Sequence, residues 1–206
     1  MELKHHIHKP LMEKLLSIYK TIDGLSDEEA QYHVSKFKKI VYPKKKLILK
    51  EGTTEDYLYF IDKGIIRFFV NKTHLTEPSK QITFSFIAEN MFCSAYDSFI
   101  TRNPCAYNVE TVQETTVYRI HFDDLQELYA RSAVGNYLGR ISAENLYVRK
   151  TQREISLLVN SAEERYLNLA KAYPNFISDI PLKHIASYIG ITPQALSRIR
   201  RRIALT

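Results

Sequence analysis

The stretch Ile185-Ala186-Ser187-Tyr188-Ile189-Gly190-Ile191-Thr192-Pro193-Gln194-Ala195-Leu196-Ser197-Arg198-Ile199-Arg200-Arg201-Arg202 constrains this chain more than any other part of it. Ile185, Ile189, Ile191, Leu196 and Ile199 recur at helical spacing, so each of two short helices has one apolar face. Ala186 is small where two helices cross closely, and Gly190 supplies the positive φ of a sharp turn between them. Thr192 then caps the second helix, and Pro193 suits its first position, where no amide donor is needed. Gln194, Ser197, Arg198 and Arg201 are left facing outward. This is the layout of a helix-turn-helix whose second helix enters a DNA major groove. Helical hairpins with Ala and Gly at the crossing also occur in proteins that never meet DNA. Local charge favours the DNA reading: from Pro181 to Thr206 the chain has Lys183, Arg198, Arg200, Arg201 and Arg202 and no carboxylate. Such side chains neutralise phosphates, the main sequence-independent part of DNA binding.

At 206 residues the chain can form one large domain or two smaller ones. Its net charge of +6 favours an anionic partner without choosing which kind. Cys93 and Cys105 are too few for a disulfide framework and lack zinc-ligand spacing, which points to a reducing cytoplasm. No apolar run approaches a membrane span, and the start lacks the apolar core of a signal peptide, so no membrane partner is expected.

Pro10 to Tyr19 has helical periodicity, and Ser26-Asp27-Glu28-Glu29 is a capping box opening a helix to about Phe37. From Lys39 the texture turns to β, with short runs at Leu47–Lys50, Tyr57–Asp62, Ile65–Val70, Gln81–Phe86, Tyr107–Thr111 and Thr116–Ile120. Many short strands without intervening helices predict a jelly roll or barrel. After His121 a heptad seam emerges: Val134, Ile141, Val148 and Ile155 in one row, Leu138, Asn145, Gln152 and Val159 in the other. It suits a parallel helix pair in which Asn145 and Gln152 set register, or else a helix packed on its own domain. Ser161-Ala162-Glu163-Glu164 caps a further helix to about Ala172, and Tyr173 to Ile180, with Pro174, reads as a linker. The expected fold class is α+β: an antiparallel, jelly-roll-like sensor roll with short N-terminal helices over residues 1–128, a long dimerisation helix over 129–160, and an all-α helix-turn-helix domain over 161–206.

That order resembles the Crp/Fnr family of bacterial transcription regulators. Leu58-Tyr59-Phe60-Ile61-Asp62-Lys63-Gly64-Ile65-Ile66-Arg67 is similar to the family's strand–turn–strand with Gly at the turn. Leu167-Asn168-Leu169-Ala170-Lys171 is similar to the helix that opens its DNA-binding domain, and Ile185 to Ile199 to its helix-turn-helix. The resemblance spans residues 26–203. It implies a homodimer that places two recognition helices on a near-palindromic operator in double-stranded DNA, with RNA polymerase as a further partner.

Two departures matter. Members that bind a cyclic nucleotide carry a Gly-Glu pair for the ribose and an Arg after a Pro for the phosphate. Here Cys93-Ser94 stand at the first position, and Cys105 follows Pro104 at the second. A thiol offers no counter-charge to a buried phosphate, so the cassette is degenerate and the expected effector is an unknown small molecule other than cyclic AMP, or none. Lys150 and Thr151, where the family's long helix meets the nucleotide base, then read as ordinary helix-surface residues. The family also follows its recognition helix with a hairpin wing, and no such segment is evident before Thr206. The helix from Thr192 to Arg202 is therefore expected to carry most of the recognition.

On that helix Gln194, Ser197 and Arg198 are the candidates for base edges, since Arg suits guanine and Gln suits adenine. Lys183, Thr192, Arg201 and Arg202 are the candidates for phosphates, which set register without reading sequence. Other chemistry is weaker. Two cysteines cannot ligate an iron–sulfur cluster, and His5, His6 and His8 read as a solvated terminal run. His74 and His121 are isolated, so a metal enzyme on a cupin-like roll lacks its ligands. Lys44-Lys45-Lys46 reads as a solvated loop. No catalytic motif appears, so the expectation is no enzyme, no metal and no cofactor. The alternative is a small-molecule-binding roll whose C-terminal helices make protein contacts.

Overall fold

The computed structural model describes residues 13–20, 24–72, 80–131 and 133–204, without the side chains of 133 and 134. Its architecture is α+β. Helices α1 (Glu13–Lys20) and α2 (Asp27–Ser35) lead into eight strands: β1 (Lys38–Tyr42), β2 (Leu47–Leu49), β3 (Tyr57–Lys63), β4 (Ile66–Lys72), β5 (Lys80–Ile87), β6 (Phe92–Cys93), β7 (Asn108–Thr111) and β8 (Thr115–His121). A short helix, α3 (Tyr96–Thr101), interrupts them after β6. Helices α4 (Phe122–Arg131), α5 (Ala133–Val159), α6 (Ala162–Ala172), α7 (Pro174–Asp179), α8 (Leu182–Ile189) and α9 (Pro193–Ile203) complete the chain. The strands form two antiparallel four-stranded sheets, ordered β1-β8-β3-β6 and β2-β7-β4-β5.

Strand alternation sorts the apolar side chains into two layers. Tyr59 and Ile61 of β3 and Val117 of β8 point between the sheets, against Ile66, Phe68 and Val109. Phe60, Tyr118 and Ile120, from the same two strands, point outward under α1, α2 and α4, where Leu15, Val34 and Leu128 cover them. Gly64 makes the β3–β4 turn possible: its φ is +105°, and a Cβ there would sit 2.6 Å from Thr115 Oγ1. The capping boxes at Ser26 and Ser161 form as their spacing predicts.

Four elements depart from the expectation. Residues 173–180 are not a linker. Pro174 opens α7 at a position that needs no amide donor, and Phe176 is buried and stacked on Tyr173 at 4.7 Å. β1 and β6 were not among the expected runs; β6 has only two paired residues and leaves no alternation to read. α3 is six residues long, too short for a periodic signal.

Candidate nucleic-acid interface and roll cavity

The turn between α8 and α9 is built by the residues whose types suggested it. Gly190 takes φ +82° as the left-handed C-cap of α8, and the Ile191 amide donates to the Ala186 carbonyl at 3.0 Å. Thr192 Oγ1 accepts from the Ala195 amide at 3.2 Å, and Pro193 is the first residue of α9. Ile185, Ala186, Ile189 and Leu196 are buried together beneath the turn.

The opposite face of α9 is open. Gln194, Ser197, Arg198, Arg200 and Arg201 are exposed, and among the described residues no acceptor holds the three guanidinium groups. Ser197 Oγ donates to the Pro193 carbonyl at 3.0 Å, which leaves its lone pairs free. Lys183 and Thr192 are exposed beside them. Arg202 is differently placed: it is ion-paired with Glu163 at the start of α6, so a phosphate would have to compete with a carboxylate for it.

The inner face of α8 is docked on the roll, an arrangement the sequence did not suggest. Arg67 of β4, 2% exposed, anchors it. Its Nε donates to Glu110 Oε1 at 3.1 Å, Nη2 to Gln81 Oε1 at 2.6 Å, and Nη1 lies 2.9 Å from His184 Nδ1 on α8. Burial first, then the positive charges of Arg67, Lys183 and Lys45, pull His184 down from its usual pKa to about 4. It is therefore neutral near pH 7, with Nδ1 free to accept from Arg67. Ser187 Oγ accepts from the Thr83 amide at 2.8 Å and donates to the Gln81 carbonyl at 3.2 Å. Phe86 packs on Tyr188 and Phe176, with ring centroids 5.1 and 5.8 Å apart. Arg153 of α5 completes the dock by lying over the Tyr188 ring at 3.9 Å and donating to the Tyr188 carbonyl. Lys44, Lys45 and Lys46 are exposed, as a solvated loop requires, and the charge of Lys45 is the last of those that lower His184.

A cavity of about 670 Å³ lies between the roll and the middle of α5. Phe68, Phe84, Tyr107, Cys93 and Ser94 line it from the roll, and Asn145, Arg149 and Lys150 from α5. The degenerate cassette divides here. Cys93 is buried on the wall, and Ser94 Oγ donates to the Tyr57 carbonyl at 2.9 Å. Cys105 faces the core instead, its Sγ 3.3 Å from the Tyr107 carbonyl, while Pro104 is exposed. Both thiols are free, and burial pushes both up from the usual thiol pKa. Lys150 is not the plain surface residue expected: its Nζ is 5.9 Å above the centre of the Phe84 ring.

Along α5, Ile141 is half-buried, while Asn145, Val148, Gln152, Ile155 and Val159 are exposed. Leu138 is taken by the roll's own core beside Leu128. The Val134 side chain and His5, His6, His8 and His74 lie outside the described residues. Among the described residues no helix is long and apolar enough to cross a membrane, and no three His, Cys, Asp or Glu side chains group as a metal site needs.

A two-sheet roll, a long helix along its cavity and a helix-turn-helix beyond define a class of two-part chains. The fold is that of the Crp/Fnr-type regulators. Residues 39–132 match the family described as cyclic nucleotide-binding domain. No curated protein sequence matches the chain. Among solved structures it is similar to the catabolite activator protein of Thermus thermophilus, at 23% identity and a TM-score of 0.51, covering 88% of this chain and 85% of that one. FixK2 from Bradyrhizobium japonicum aligns at 15% identity and TM-score 0.65, over 82% and 85% of the two chains. A protein described as a Crp/Fnr-family transcriptional regulator from Eubacterium rectale aligns at 14% and 0.66, over 88% and 84%.

Proposed function

We propose that the chain is a dimeric, sequence-specific DNA-binding transcription regulator, without enzymatic activity, whose roll answers to an effector other than cyclic AMP. The observation that carries the reading is α9: one face is sealed into the core by Leu196, and the other presents Gln194, Arg198 and Arg201 with no acceptor on the guanidinium groups among the described residues. The Thr192 cap and the outward row match what a recognition helix needs. Two copies paired through α5 place two such helices on half-sites about one DNA turn apart, ~34 Å. Gln194, Ser197 and Arg198 read base edges; Lys183, Thr192 and Arg201 hold phosphates, and Arg202 does so only when released from Glu163.

Genomic footprinting identifies the operator, and mobility shifts on it test the roles. Arg198→Ala is expected to weaken operator binding more than binding to random DNA, so that discrimination between them falls at the base that Arg198 reads. Arg201→Ala is expected to weaken both alike and to reduce the salt slope by about two, one for each protomer. Equal losses on both DNAs for Arg198→Ala overturn its assigned role, and no salt-dependent binding to any duplex overturns the function.

A further inference from the structure

We infer that the cavity against α5 takes a small aromatic carboxylic acid, its ring system held by Phe68, Phe84 and Tyr107 and its carboxylate by Arg149 and Lys150. This deepens the reading of the roll as a sensor and rests on it. The volume, about 670 Å³, falls inside the range of small-molecule sites, roughly 300–1,000 Å³. The three rings form a preformed cage: Phe84 meets Tyr107 edge-on at 5.0 Å, and Phe68 lies 6.1 Å from Phe84 and 6.0 Å from Tyr107. Such edges and faces complement a flat ring system better than a sugar, whose hydroxyls need several partners.

The charges are arranged with the same bias. Among the described residues that line the cavity, Arg149 and Lys150 are the only cations and Asp97 the only carboxylate. Asp97 already accepts from the Tyr107 hydroxyl, so it is engaged within the wall. Both cations are on α5 and exposed, so an anionic head there stays partly hydrated while the rings enter the roll. On the roll side Cys93 and Ser94 offer no charge, and a phosphate buried against them would lack a counter-ion.

Occupancy reaches the helix-turn-helix through two strands. Phe68 and Arg67 are neighbours on β4 with opposite directions, one into the cavity and one into the dock. On β5 the register shifts beside Phe84, where Phe68 pairs with Ser85 and Phe69 with Thr83. This bulge turns Phe84 and Ser85 together toward the cavity while Thr83 and Phe86 still hold α8. A ligand against Phe84 therefore presses on the segment that positions the helix-turn-helix.

Equilibrium dialysis of the full chain with 2-naphthylacetate, its uncharged amide, decanoate and cyclic AMP tests the assignment. The acid is expected to bind roughly tenfold tighter than the amide, the fold-change of one charge-assisted contact. Combined Arg149→Ala and Lys150→Ala is expected to remove that advantage, lowering the affinity of the acid far more than that of the amide. Ala143→Phe, on the α5 wall, fills the cavity and is expected to abolish binding of both without disturbing the roll. Absence of binding by the acid, equal binding of acid and amide, or tighter binding of decanoate or cyclic AMP overturns the inference. Dialysis needs no DNA, so an acid that binds to a chain inert toward every duplex overturns the proposed function and leaves this inference standing.

Discussion

Glu55 is 1% exposed, and its carboxyl is only half satisfied. Oε1 accepts from the Tyr57 amide at 3.0 Å and the Tyr59 hydroxyl at 3.2 Å, while Oε2 finds no partner among the described residues. Burial is the main cause that raises its pKa to about 7, and the hydrogen bonds only moderate the rise. The native state therefore binds the proton more tightly than the unfolded chain does. Stability from this group is full below pH 4.5 and is lost as pH rises through about 7. Denaturant unfolding at pH 5 and pH 8 is expected to show a loss on the order of 3 kcal/mol at the higher pH. Glu55→Gln, which does not titrate, is expected to flatten the profile; an unchanged slope in that variant removes Glu55 as its source. Cys93, beside Glu55 in the same core, stays a thiol across this range because its pKa is pushed far up by burial and by the carboxylate. That argues for a packing role, which the residue type alone left open.

At the scale of elements, what was legible in the sequence is what is decided locally. Ser26, Ser161, Thr192 and Gly190 terminate helices through bonds to residues three or four positions away, so the sequence window contains the whole cause. The dock of α8 on β4 and β5 had no such signal, because Arg67 and His184 are separated by 117 positions. Arg67 fits the alternation with Ile66 and Phe68 as an outward-facing polar residue, so nothing in the strand's pattern shows that α8 covers its outer face. The Pro174 stretch misled because a proline at the first turn of a helix looks the same as one in a linker. The dock also carries its own pH dependence. His184 is held below its free pKa of 6.5, so the released α8 binds protons more readily than the docked one. The dock is complete above that pH and weakens as pH falls toward about 4. Amide protection factors in α8, with exchange corrected for its intrinsic pH dependence, are expected to fall over this window. His184→Gln, which can accept from Arg67 without titrating, is expected to abolish the fall. Protection factors in the unaltered protein that do not change from pH 7 to pH 4.5 sink the assignment.

The whole molecule is joined through one shared core and one exposed stripe. Ile65, Phe86 and Val112 of the roll are buried in the same cluster as Ile185, Ile189 and Leu196, so the roll and the helix-turn-helix do not behave as beads on a string. The stripe runs down α5: Val148 is 49% exposed, Ile155 51% and Val159 71%, with Leu158 at 80% beside them. Apolar side chains repeated along one helix face are poorly served by water, and in the proposed dimer a second α5 aligned in parallel would bury them in a heptad seam. Asn145 and Gln152, exposed on the same stripe, would pair across that seam and fix its register. Because Leu138 is already held by the roll, such a pairing falls to the half of α5 nearest the helix-turn-helix. Val148→Glu with Ile155→Glu is therefore expected to yield a monomer in sedimentation, with unchanged helix content because neither residue is in the folded core. Operator affinity is expected to fall at least about a hundredfold, since each half-site is then bound alone. A variant that still sediments as a dimer locates the interface elsewhere. A monomer that keeps full operator affinity shows that one recognition helix suffices.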